Sequence, residues 1–363
     1  MSAFEEGQTE APSAGVIIVD PFCDYLGIKC QKLLEEAGYA VVKANKQVLS
    51  QHVLSVVMKG TGAEIFRAPT AGREAEWVAY LPFPPVAVLC ESDAGLATAE
   101  RLQAALLGPR FGGVNEARRD KFLMNEELRQ AGLDAVCQIK TGNWSDAREF
   151  LRALGKTNSR QQEYPPSSSS SPPSSHSSCS SWAGRLTTPD LKDNGEKKAK
   201  QTHQENDEFL KGNGDRGNDD EDGYCREGGV MSVVKPARGC ASGSVFLCRG
   251  EREAEEAFRK ILGAPKYGTP GAVNEEVVVQ EFLEGTEYVV DTVSRDGEHK
   301  IMAIWKYDKR PANGAPFVYF ATKLRASDGE DEQAVIKYAR AALDALGVKY
   351  GPTHTGKYKY ARN

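Results

Sequence analysis

The 363-residue chain has no Cys-x-x-Cys pair, no cysteine at zinc-ligand spacing from a histidine, and only 5 histidines, so it offers none of the zinc sites a sequence can show. Its eight cysteines (Cys23, Cys30, Cys90, Cys137, Cys179, Cys225, Cys240 and Cys248) are scattered. The opening stretch, Met1 to Gly15, is polar and acidic, with no basic segment followed by an apolar one. Together these features predict a cytoplasmic protein with reduced thiols. No apolar run reaches the length of a membrane span. An excess of basic residues is also missing: the formal net charge is -5 and the pI about 5.7, which argues against nucleic acid as a partner. The first strand-to-helix turn, Asp20 to Gly27, holds a single glycine and lacks the Gly-x-Gly-x-x-Gly of a dinucleotide site, which argues against an oxidoreductase.

What is present fits two or three subdomains with a substantial core. Residues 1–13 read as a disordered tail. Val16 to Asp20 is a short β-branched run and predicts a buried strand. Leu26 to Ala37 has helical apolar spacing and stops at Gly38, and Tyr39 to Val42 predicts the next strand. This β-α-β start predicts a parallel, doubly wound sheet. Pro85 to Cys90 follows as a strand. Ser92 then caps a helix to about Leu107, with Glu100 and Arg101 on its wet side. A helix is expected from about Glu116 to Ala131, a strand over Val136 to Ile139, and a helix over Asp146 to Leu154. Residues 157–229, with the serine run Ser167 to Ser181 and the stretch Gly212 to Gly223, carry too few apolar groups to offset ordering entropy, and predict a disordered insertion. Both a phosphorylated regulatory loop and a tolerated surface insertion fit that text.

Order is expected again from Val230. Strands are predicted over Met231 to Val234, Val245 to Cys248, Glu276 to Phe282, Thr286 to Ser294 and Lys300 to Tyr307, with a turn at Asp296-Gly297. Helices are predicted over Glu251 to Leu262 and Glu330 to Leu346. The later strands form an antiparallel meander.

Three stretches carry candidate chemistry. In Val233 to Val245 a strand delivers Lys235, a small-residue loop follows (Arg238, Gly239, Ser242, Gly243, Ser244), and a strand resumes. Small residues let backbone N–H groups approach a phosphate closely. The lysine precedes the glycines and a strand follows them, the reverse of a Walker A loop, so the order suits a β-hairpin lid over a triphosphate. By itself the same text also describes a plain glycine-rich hairpin. Downstream, Gln280-Glu281-Phe282-Leu283-Glu284-Gly285-Thr286-Glu287 ends one strand on an acid and starts the next with another. That suits a nucleoside, with strand backbone for the base and a carboxylate for both ribose hydroxyls. Arg118-Arg119-Asp120-Lys121, alone, reads as a solvated helix face.

Taken in this order, the Asp120-Lys121 pair opening a helix that ends Ala131-Gly132-Leu133, the Val233-Val234-Lys235-Pro236 loop and the Gln280 to Tyr288 hairpin resemble the ATP-grasp superfamily. Within it they resemble carboxylate–amine ligases of the D-alanine–D-alanine ligase, carnosine synthase and L-amino-acid ligase type. The resemblance implies an α/β fold: a Rossmann-like pre-ATP-grasp domain over residues 14–115, then an ATP-grasp domain over 116–363 interrupted by the insertion. It implies ATP as cofactor. Lys121 and Lys235 would contact the α- and β-phosphates, and the loop Arg238 to Ser244 would close over them. Gln280, Glu281 and Phe282 would lie at the base, Glu281 and Phe282 binding it through their backbone groups. Glu287 would hold the ribose, with Glu284 as second choice. Lys306, Lys309 and Arg310, with Lys323, are candidates for the γ-phosphate or a substrate carboxylate, and equally fit solvated strand-edge cations. The implied partners are a small amino-acid-like carboxylate and an amine, with no nucleic acid or membrane, and a homodimer as in relatives. In the implied reaction the carboxylate forms an acylphosphate, which the amine then attacks.

The family pattern places its first acidic magnesium ligand after Thr355. Here Gly356 stands there, followed by the basic stretch Lys357 to Asn363. Mg2+ is therefore implied by the family, yet no residue of this chain is named for it. The expectation is a chain shortened at its C-terminus: either a fragment of a working ligase, or a non-catalytic nucleotide-binding or regulatory protein.

Overall fold

The computed structural model describes residues 14–20, 24–45, 64–90, 92, 95–163, 230–239, 243–267, 269 and 271–359. The expected tail over 1–13 lies outside them, as does 164–229 of the expected insertion.

β-Branched runs build the first layer. Strands β1 (Gly15–Val19), β2 (Ala40–Asn45), β3 (Glu64–Arg67) and β4 (Pro85–Cys90) form a parallel sheet in the order β3-β2-β1-β4. Helix α1 (Asp24–Glu36) ends where Gly38 takes φ 85°, with Tyr39 N bonded to Leu34 O and Gly38 N to Glu35 O at 3.0 Å each, a Schellman stop that needs glycine. Two helices follow the later strands, α2 (Glu74–Ala79) and α3 (Leu96–Leu107). Ile17, Val19, Ala44 and Val88 pack with Ala99 and Leu102 of α3.

The sequence reading put one helix over 116–131. The structure divides it into a 3-10 turn, Glu116–Arg118, and helix α4 (Lys121–Gln130). Asp120 causes the break. Its extended backbone is the N-cap, and its Oδ1 accepts from Phe122 N and Leu123 N at 2.9 and 3.0 Å. The following strand, β5 (Gln138–Thr141), starts two residues later than expected, and helix α5 (Trp144–Glu163) runs past the expected start of the insertion at 157.

After residue 230 come β6 (Ser232–Lys235), β7 (Phe246–Cys248), α6 (Glu251–Ile261) and β8 (Val277–Glu281). They join β5 in an antiparallel sheet of order β5-β8-β6-β7. Helices α5 and α6 cover one face, where Phe150, Leu151, Phe258 and Ile261 meet Ile139, Val234, Val277 and Val279.

The third sheet holds β9 (Thr286–Arg295), β10 (Glu298–Ala312), β11 (Ala315–Leu324) and β12 (Gly351–Lys359), ordered β11-β10-β9-β12 and antiparallel. Its hairpins turn at Asp296-Gly297 and Asn313-Gly314, all four residues at positive φ. The sequence reading found the first turn and missed the second, so it ended β10 at Tyr307. Lys309, Arg310 and Lys323, beyond the last strand expected, lie within β10 and β11, and Lys306 lies in β10. Helix α7 (Glu330–Ala345) covers one face, with Val335, Ile336 and Ala339 against Tyr288, Val290 and Ile304. Ala342 of α7 and the adjacent Leu346 meet Ala117 and Leu128, tying the 116–130 segment to this layer.

Candidate nucleotide-binding site

Strand β6 ends at Lys235, paired with Val278 of β8. Burial, with the nearby Lys121 ammonium adding to it, pushes the Lys235 ammonium down to about 8. Lys121 is the first residue of α4, where the N-terminal dipole already favours anions. The structure thus brings together the two lysines expected to hold phosphates. Two like charges converging in a half-buried site are unfavourable unless an anion lies between them.

The loop after β6 folds back onto the start of α4. Lys121 N donates to Ala237 O at 2.9 Å, and Lys121 Nζ donates to Gly239 O at 2.5 Å. Arg238 between them is ion-paired to Glu116. A Cβ on Gly239 would sit 3.5 Å from Pro236 Cγ and 3.8 Å from Gly243 O, ordinary contacts, so packing within the chain does not require a glycine there. Ser244 takes φ 56° at the loop's exit, and Ser242 lies outside the described residues.

At the end of β8, the Glu281 carboxylate turns inward. Its Oε1 accepts from Cys137 N at 2.7 Å while Glu281 N donates to Cys137 O at 3.0 Å, and burial raises the carboxyl pKa against these bonds and Arg129. Phe282 N donates to Met231 O at 3.4 Å. Both amides expected for the base are therefore engaged within the chain. Gln280 is buried and donates to Gln138 Oε1 at 2.7 Å, so its side chain belongs to the interior of the sheet. Cys137 is disulfide-bonded, against the expectation that all thiols are reduced, whereas Cys30, Cys90 and Cys248 carry thiols.

The face of the third sheet away from α7 carries Glu287 and Asp291 of β9, Trp305, Tyr307 and Lys309 of β10, Tyr319 of β11, and His354 and Tyr358 of β12. Lys309 Nζ donates to Glu287 Oε1 at 2.8 Å, Tyr358 OH donates to Oε2 at 2.9 Å, and Lys309 lies 5.1 and 4.4 Å from the Tyr307 and Tyr319 ring centroids. Burial pushes the Lys309 ammonium down, but its bond to Glu287 and its contact with Tyr319 outweigh that and leave it raised. Asp291 accepts from Trp305 Nε1 at 2.6 Å and pairs with His354 Nδ1 at 2.7 Å. Lys306 is not part of this group. It pairs in register with Tyr288 and lies 5.9 Å from that ring, on the α7 side. Arg310 is exposed and bonded to Asp308 at 2.7 Å, and Glu284 and Lys323 are exposed. The expected catalytic set Lys306, Lys309 and Arg310 is therefore divided: one on the covered face, one neutralised by Glu287, one in a local pair.

Both carboxylates of this face are thus engaged by protein groups. Among the described residues no group of three or more His, Cys, Asp or Glu could hold a metal ion. Gly356, paired with Val289, sits between His354 and Tyr358 and offers no side chain. These residues do not fit a magnesium ion.

The sequence reading missed the charges behind Lys121. Glu100, expected on the wet side of α3, is only 4% exposed. Its Oε1 accepts from Arg118 Nη1 at 2.9 Å and its Oε2 pairs with Arg119. Arg118 also donates from Nε to Leu346 O at 2.9 Å and from Nη2 to Gly347 O at 2.6 Å, closing the carbonyl end of α7. The Arg118-Arg119 pair is therefore a buried anchor. The acid eighteen and nineteen residues upstream was the signal available, but its spacing to the arginines is not helical.

Residues 229–357 match the ATP-grasp domain family. Dapdiamide A synthase of Enterobacter agglomerans is 31% identical over 122 residues, covering 34% of this chain and 28% of that protein. The structure resembles an L-amino acid ligase from Bacillus licheniformis at TM-score 0.54 and 17% identity, over 96% of this chain and 64% of that one. It also resembles N5-carboxyaminoimidazole synthetase from Staphylococcus aureus complexed with ADP, at TM-score 0.52 and 13% identity, over 97% and 68%. At these identities the structural likeness shows the fold alone, an α/β arrangement. The curated match spans little more than a quarter of its relative's length.

Proposed function

We propose, on the premise that residues 229–357 carry an ATP-grasp domain, that this chain binds ATP with its phosphates between Lys121, Lys235 and the loop from Arg238 to Ser244. The observation that carries the proposal is the convergence of Lys121 and Lys235, with Lys235 pushed down to about 8 by burial and by Lys121. A polyphosphate between them would neutralise both charges and restore the favourable charged state of Lys235. Glu287 and the β8–β9 hairpin are the proposed nucleoside side of the site. Residues 14–115 and 116–363 are the proposed domains. Among the described residues no helix is long and apolar enough to cross a membrane, and a cytoplasmic location is proposed with the rest.

The proposed reaction class is ATP-dependent ligation of a small carboxylate to an amine through an acylphosphate, the class that the sequence resemblance implies and with which the name L-amino acid ligase agrees. In this class the chain's own cations would neutralise the phosphates and its loop would shield the acylphosphate from water. A second reading, nucleotide binding without turnover, is favoured by one observation: the carboxylates of the open face, Glu287 and Asp291, are already held by Lys309, Tyr358, Trp305 and His354. Calorimetric titration with ATP tests binding, which Lys235→Ala should abolish. ADP release on adding amino acids separates the two readings. Failure of the wild-type chain to bind ATP would overturn both.

A further inference from the structure

A chain of alternating charges runs from the first layer of the fold to the phosphate loop. Glu100 on α3 binds Arg119, Arg119 Nη2 binds Glu116 Oε1 at 2.7 Å, and the other oxygen of Glu116 binds Arg238. The anchored end is rigid: Arg119 is 7% exposed and Glu100 is held a second time by Arg118. The far end is half open, with Glu116 54% and Arg238 29% exposed. Glu116 is therefore a carboxylate fixed at its base and presented to the loop arginine. On either side of that arginine, Ala237 O and Gly239 O bond to Lys121, and Gly239 O takes the ammonium itself. In this arrangement a negative side chain and a backbone carbonyl occupy the cations that an incoming polyphosphate needs.

We propose that Glu116 is a latch on the phosphate loop, which holds Arg238 and with it keeps Gly239 O on Lys121 until a polyphosphate displaces both. The proposal rests on the nucleotide-binding reading above. Entry of a polyphosphate exchanges the Glu116–Arg238 pair for an Arg238–phosphate pair and frees the Lys121 ammonium. The displaced Glu116 keeps Arg119 as its partner, so no buried charge is stranded. Because Arg119 is shared with Glu100, release of the latch is also felt on α3.

The test is titration of the full chain and its variants with ATP and, separately, with adenosine, which carries no phosphate. Glu116→Gln should bind ATP about two- to five-fold more tightly, the weight of one partly exposed ion pair. Adenosine affinity should stay unchanged, which a merely structural change at Glu116 would not achieve. In an Arg238→Gln background the Glu116→Gln gain should vanish. Glu116→Ala serves as second variant if the glutamine form does not fold. Equal or weaker ATP binding by Glu116→Gln beside a wild type that binds ATP overturns the latch alone. A wild type that binds neither ligand overturns the nucleotide reading and the latch with it.

Discussion

Glu287 on β9 and Lys309 on β10 meet across neighbouring strands, Lys309 Nζ lying 2.8 Å from Oε1 and 2.7 Å from Oε2. The sequence suggested separate duties for them, ribose for the acid and phosphate or carboxylate for the base. Side by side, each cancels the charge the other would bring to a ligand.

Cutting that pair should show strong coupling. Both side chains are largely shielded, at 17% and 15% exposure, so Lys309→Met or Glu287→Gln alone leaves a half-buried charge or a broken bond with Tyr358. The double variant should be more stable than the sum of the singles predicts by about 1–3 kcal/mol. Urea melts of the four proteins measure this, and strict additivity would show that the pair is not formed in solution.

The Lys235 ammonium, at about 8, makes ATP affinity depend on pH. Its pKa in the fold is depressed, so it is charged below pH 8 and loses its proton as pH rises through that value. ATP binding should be strong near pH 7 and weaken above pH 8 by up to about tenfold per unit. Titrations from pH 6.5 to 9.5 test this. In Lys235→Arg the break near pH 8 should disappear, since a guanidinium stays charged throughout.

Glu100→Gln should destabilise the chain by about 3 kcal/mol, because it removes the carboxylate shared by two buried guanidinium groups and leaves Arg118 with carbonyl partners and Arg119 with the exposed Glu116. Burial already lowers the pKa of both arginines, with Arg238 lowering Arg119 further. Glu76→Gln, which breaks the exposed pair with Arg73, should leave stability nearly unchanged and serves as control. Denaturant midpoints for the two variants should differ widely.

Glycine positions should split the same way. A Cβ on Gly15 would lie 2.1 Å from Phe83 Cε2, in a packed interior, so Gly15→Ala should cost about 1–3 kcal/mol. A Cβ on Gly356 meets nothing within 4 Å, so Gly356→Glu should fold within about 1 kcal/mol of wild type. Thermal melts compare the two. A severe loss in Gly356→Glu would mean that the face beside His354 and Tyr358 is not open.

Local signals carried much of the fold. The β-branched runs of β1 and β8, the Gly38 stop and the Asp296-Gly297 turn all act within a few residues, so sequence order contains them. The Asn313-Gly314 turn was equally legible and was overlooked, which misplaced the cations of β10 and β11. Asp120 was noticed for its neighbour Lys121 and proves to be the cap that starts α4.

By itself the sequence determined many of the strands and helices, though not β3, α2, β11 or β12, and that a lysine-bearing strand leads into a small-residue loop, because those outcomes depend on local backbone sterics and apolar periodicity. Tertiary structure alone decided which charges are free. Glu100 finds Arg118 and Arg119 only when α3 and the 116–120 segment pack together. Lys306 and Lys309, three residues apart on β10, turn to opposite faces by the pleat alone, and the packing of α7 on one of those faces decides which of them is covered. A charge's partner is set by distance in space, and in a sheet one residue of register decides which face it occupies.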